Sequence, residues 1–153
     1  MMNAETYDPI TAGTDVMNGL LQNELSAVET YTHAIGLFND ASVIVELQKI
    51  RDDHRRAERE LHECVMLMNG APASNPGLWP AFSATAAPGA KGVGCATVLA
   101  ALRQCEEYAI GAFEDALSHE DVHPDCHRLI GGELLPAARN HVDELNRLLG
   151  GTC

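Results

Sequence analysis

At 153 residues with 46% hydrophobic side chains, the chain is long enough to bury a core without disulfide or metal staples, which excludes global disorder. Its formal net charge of -12, with Lys49 and Lys91 as the lysines, would repel phosphate backbones and anionic lipid. Neither nucleic acid nor a membrane is therefore an expected partner. Aromatics make up only 5%, Ala and Leu are abundant, and β-branched runs are scarce, a balance that favours helices over sheets.

The first residues, MMNAETYDPI, carry neither a basic n-region nor an apolar h-region, and no window approaches the length of a transmembrane helix. Cys64, Cys95, Cys105, Cys126 and Cys153 form no C-x-x-C and no framework spacing. Reduced thiols in a cytoplasm are the expectation.

Residues 1–13, with Pro9 and Gly13, read as a flexible arm, and residues 14–150 as one domain. From Asp15 to Phe38, apolar residues recur at Leu21, Leu25, Val28, Tyr31, Ile35 and Phe38, the spacing of one helical stripe. Asn39-Asp40 breaks the run, and Asp40 or Ser42 can cap the next helix. That helix is predicted over Val43 to Met68, with a stripe at Val43, Leu47, Ile50, His54, Ala57, Leu61, Val65 and Met68, ending at Gly70. Residues 70–94, with Pro72, Pro76, Pro80 and Pro88, cannot be a regular helix. They read as a crossover along the bundle, pinned by Trp79 and Phe82. A third helix is predicted from Cys95 to His119, with Val98, Leu102, Glu106, Ala109, Phe113 and Ala116 on its stripe. Pro124 suits the first position of a fourth helix, whose stripe is Ile130, Leu134, Ala138, His141, Leu145 and Leu148. Gly131-Gly132 and Pro136 should kink it just before His141. The expected fold class is all-α: an antiparallel four-helix bundle with one long crossover between helices 2 and 3.

One strongly polar residue falls on each stripe: Glu24, His54, Glu106 and His141. The midpoint of Glu24 and His54 is residue 39, in the first turn; that of Glu106 and His141 lies between 123 and 124, in the second. Residues equidistant from a hairpin turn sit side by side, so each hairpin presents a Glu opposite a His. Buried carboxylates cost several kcal/mol unless compensated, and two compensations are open. One is a single iron, manganese or zinc ion held by the two carboxylates and two imidazoles. The other is a metal-free network in which the histidines donate to the glutamates. Arg51, three residues before His54, could reach the same level and bind the carboxylates, which favours at most one ion. Tyr31 and Tyr108 lie near that level as candidate outer partners, with Glu29 and Glu107 as reserve ligands.

The first helix, through Asn23, Glu24, Leu25, Ala27, Tyr31, His33 and Ala34, resembles the opening helix of bacterioferritins. Trp79, CEEYAIGAFEDAL from Cys105 and RNHVDEL from Arg139 are similar to a bacterial branch of the ferritin-like superfamily, a four-helix-bundle domain of unknown function. The resemblance covers about residues 17 to 149. It implies that Glu24 and Glu106 match the terminal carboxylate ligands of di-iron sites, and His54 and His141 the two histidines. Such sites also use a Glu three residues before each His. Here those positions are Arg51 and Ala138, so the resemblance implies neither a full di-iron ferroxidase nor iron storage in a cage.

Weaker patterns fall to plainer readings. HPDCH from His123 reads as a loop after a helix rather than a surface metal site, and GAKGVG from Gly89 lacks the G-K-[ST] ending of a phosphate loop. The sequence thus points to a small ferritin-like protein binding at most one transition metal, with oxidative or metal-handling chemistry related to stress. The open alternative is a metal-free module acting through dimerisation or partner binding. Helix faces left over from the core make a homodimer the expected assembly.

Overall fold

The computed structural model describes residues 8–77 and 94–151. Helix α1 (Pro9–Ile35) and helix α2 (Ala41–Leu67) form the first hairpin. Helix α3 (Cys95–Leu117) pairs with a fourth rod made of α4 (Pro124–Leu129), a π-helical segment (Ile130–Leu134) and α5 (Leu135–Gly151). Contacts between α1 and α3 join the two hairpins. Trp79, Phe82 and most of the crossover lie outside the described residues. No helix among the described residues is long and apolar enough to cross a membrane.

Local chemistry explains the boundaries. Helix α1 starts at Pro9, earlier than the expected Asp15, so residues 9–13 belong to the helix rather than to an arm. Proline suits a first turn, where its missing N–H has no partner to lose. Asp40 caps α2 as expected, its Oδ1 accepting from the Ser42 N–H at 2.9 Å. The far end of α2 closes through Asn69, which adopts a left-handed φ of 60°. The Asn69 N–H donates to Met66 O and the Gly70 N–H to Val65 O, both at 2.9 Å. These two bonds satisfy carbonyls that would otherwise be orphaned. His123 Nδ1 accepts from the Asp125 N–H at 3.0 Å ahead of Pro124, so HPDCH is a helix start.

The buried face of α1 is rotated from the predicted stripe. Met17, Leu20, Leu21, Glu24, Ala27, Tyr31 and Ala34 are buried, whereas Leu25, Ile35 and Phe38 are only partly so. The fourth rod changes phase within the π-helical segment, where the Leu135 N–H bonds back to Ile130 O. Pro136 cannot donate to the carbonyl four residues earlier, and one wider turn absorbs the vacancy. Both Leu134 and Leu135 are therefore buried, and Ala138, His141, Leu145 and Leu148 face the core beyond them.

The first stretch of the crossover, residues 71–77, is bound to α1 by polar contacts. Asn18 donates to Ala71 O at 2.9 Å and accepts from the Ala73 N–H at 2.8 Å. Further along, the Gly77 N–H donates to Gln22 O at 3.0 Å, and Ser26 Oγ donates to Gly77 O. Residues 18, 22 and 26 lie on one face of α1, so residues 71–77 run parallel to α1. Helix α3 lies antiparallel to α1, and the turn beyond its far end brings the Asp121 carbonyl against Gly13. A methyl group at Gly13 would collide with that backbone. Gly13→Ala should cost about 1–3 kcal/mol of stability by overpacking, read from the urea unfolding midpoint.

Candidate metal centre

Glu24 on α1, His54 on α2, Glu106 on α3 and His141 on α5 meet in the core, with relative exposures of 5% or less. His54 Nδ1 lies 2.5 Å from Glu24 Oε2, and its Nε2 lies 2.7 Å from Glu106 Oε1. His141 Nδ1 is 3.3 Å from the Glu106 carboxylate, and its Nε2 is 2.9 Å from Asp53 Oδ2. Tyr31 donates its hydroxyl to Glu106 Oε1 at 2.7 Å. The result is a chain in which carboxylates and imidazoles alternate: Glu24, His54, Glu106, His141, Asp53.

Sequence reasoning missed Asp53. Its side chain is 42% exposed and sits in the charged stretch that reads as a solvated face. Tyr31 is fully buried and in contact as expected. Tyr108 is not: it is 49% exposed, since two residues beyond Glu106 point to nearly the opposite side of α3. Glu29 and Glu107 also face solvent. Arg51 does not neutralise the site; its Nε is buried without a hydrogen-bond partner, and no ion pair joins it to Glu24 or Glu106 among the described residues. Three positions along a helix turn the side chain by about 300° and drop it one level, and the imidazoles take the role expected of the guanidinium. Cys64, Cys105 and Cys126 are buried thiols outside any disulfide, with burial pushing the Cys64 thiol up to about 12. Cys95 is disulfide-bonded, against the expectation of reduced thiols throughout.

Electrostatics follow from the chain. Burial opposes charge on His54, but the carboxylates of Glu106 and Glu24 outweigh it and hold its pKa well above the ordinary value. His141 is raised likewise, burial being outweighed by Glu106 and Asp53. For Glu106, burial pushes upward, and the two imidazoles overcome it and hold the carboxyl far below its usual range. Burial and the neighbouring Glu106 push the Tyr31 phenol upward, so it stays a donor. Without metal, the flanking carboxylates therefore favour the protonated form of both imidazoles.

His54, Glu106 and His141 each offer a ligand atom within 4.8 Å of the others. Glu24 and Asp53 instead hold the outward-facing ring nitrogens, Nδ1 of His54 and Nε2 of His141. A space of about 20 Å³ borders Glu24, Asp53, His54 and His141, room for about one water-sized occupant. Two imidazoles and one carboxylate, with each imidazole backed by a further carboxylate, suit one divalent transition ion. At the two positions where the resemblance implies bridging ligands for a second ion, Ala138 offers no ligand and Arg51 is a cation.

No family model matches the sequence, and no curated protein matches it. Among solved structures, a ferritin like, diiron-carboxylate protein from Bacillus anthracis str. Ames matches with a TM-score of 0.74 at 19% identity. The match covers 94% of this chain and 99% of that one. The chain thus has the ferritin-like fold, a helical bundle, as its sequence implied.

The site predicts how stability depends on pH in chelator-treated protein. Imidazoles raised above their ordinary 6.5 contribute fully below that pH, and the contribution is lost as pH climbs through their raised values. Glu106, depressed from 4.5, contributes above that pH and loses its contribution as pH falls toward its lowered value. Urea midpoints should therefore be highest between these limits and fall on both sides. Tyr31→Phe, which removes a donor to a buried carboxylate, should cost about 1.5–3 kcal/mol in the same measurement.

Proposed function

We propose that this protein binds one divalent transition ion, iron, manganese or zinc, through His54, Glu106 and His141, and serves in metal handling or oxidative stress. The observation that carries the reading is the pair of back-bonded imidazoles converging on one buried carboxylate. Glu24 and Asp53 are positioning residues: each accepts from one imidazole nitrogen and so turns the lone pair of the other inward. The bound ion would supply Lewis-acid or redox chemistry, and the chain's own groups would orient and shield it. Its uptake must displace protons from His54 and His141, so affinity should rise with pH.

A second reading is favoured by the same distances. Every ring nitrogen of His54 and His141 already faces a carboxylate oxygen within hydrogen-bonding range, so the polar core is satisfied without an ion. In that case the bundle is an interaction module, acting as a homodimer or on another protein.

Elemental mass spectrometry on protein purified without chelator or His-tag separates the two. The metal reading expects about one equivalent, lost in His54→Ala/His141→Ala, and a metal-dependent rise in melting temperature. Asp53→Asn should keep the fold and weaken the ion's affinity about 10–100-fold. Absence of metal in the native protein, with no thermal shift on adding any of the three ions, would leave the network reading.

A further inference from the structure

We propose that an acidic hollow between α2 and the fourth rod is the passage by which a divalent cation reaches the buried His54–Glu106–His141 set. This inference rests on the metal-binding reading above. The hollow has a volume of about 250 Å³, and Asp53, Arg56, Glu60 and Glu133 line it. Its inner wall, formed by Asp53, Ala57, Leu134 and Ala137, is also the outer wall of the small space beside His54 and His141. Three other surface hollows, at the α1–α3 groove and at the two ends of the bundle, share no lining residue with that inner space.

The chemistry along this line suits a cation shedding water in steps. Glu60 and Glu133 are close enough that, after burial, Glu133 is the main influence raising the Glu60 carboxyl. Arg56 offsets one of the three acids, which leaves the hollow negative. Asp53 is half in the hollow and half in the core, its Oδ2 on His141 Nε2. A cation drawn to the mouth therefore meets a carboxylate that already belongs to the inner chain. Methyl groups of Ala57 and Ala137 flank it, and Leu134 is the one large apolar side chain in the wall between the two spaces.

The test is stopped-flow loading of Co²⁺ into chelator-treated full-length protein, followed by its visible absorbance. Glu60→Gln/Glu133→Gln should slow association about ten-fold at low ionic strength, with the difference shrinking as salt is added. Ala137→Leu should slow uptake and release together, with final stoichiometry unchanged. Glu29→Gln/Glu107→Gln removes the same charge from exposed positions outside the hollow, and should load at the wild-type rate. If Ala137→Leu does not fold by circular dichroism, the two glutamine pairs decide the matter. Wild-type rates in Glu60→Gln/Glu133→Gln, or equal slowing in both glutamine pairs, would overturn the passage while leaving the metal site intact. Failure of the wild-type protein to take up Co²⁺ would overturn both.

Discussion

The Glu106 carboxylate is the constraint on which the arrangement of the core depends. It is fully buried on α3, yet it accepts from Tyr31 of α1, and it faces His54 of α2 and His141 of α5. A charge this deep in an apolar bundle is tolerable only when its lone pairs are met from several sides. Meeting them draws one residue from each of the other rods to one level. Leucine-lined packing alone would let helices slide in register; a shared carboxylate penalises any slide that leaves it unpaired.

Backbone geometry serves that convergence. The fourth rod carries Gly131, Gly132 and Pro136 just ahead of His141, and a continuous α-helix there would lack a donor at the proline. The π-helical turn resolves the break and shifts the phase, so that both Leu134 and Leu135 face inward and His141 still reaches Glu106. The same turn forms one side of the acidic hollow through Glu133 and Leu134. In the first hairpin, the Asp40 cap and the Asn69 reversal set the length of α2 and hence the height of His54. The start of the crossover, residues 71–77, is aligned by the Asn18 and Ser26 side chains and the Gln22 carbonyl.

Where the resemblance implies bridging glutamates of a di-iron site, this chain has Arg51 and Ala138. Departure at those two positions changes the chemistry. The described carboxylates around the imidazoles divide between one central acceptor, Glu106, and two outer partners, Glu24 and Asp53. Glu24, matched by resemblance to a ligand, holds His54 Nδ1 instead. Asp53 is its counterpart on the other imidazole, and links the buried chain to the surface.

By itself, the sequence determined the helical class, the two hairpins with a long crossover, and four polar residues at one height. Those features are periodic or additive: stripes repeat every three to four residues, and equal distances from a turn put Glu opposite His without knowledge of packing. Asp40 as a cap and Pro124 as a helix start are local in the same sense. Only the tertiary structure decided which way each side chain turns within a rod. The packing put Met17 and Leu20 inside, left Leu25 partly out, and left Arg51 without an ion pair to the carboxylates among the described residues. The pairing of Asp53 with His141 spans 88 residues and two helices. It was not legible in the sequence because its energy belongs to the approach of α2 and α5, and no spacing along one chain segment encodes that distance.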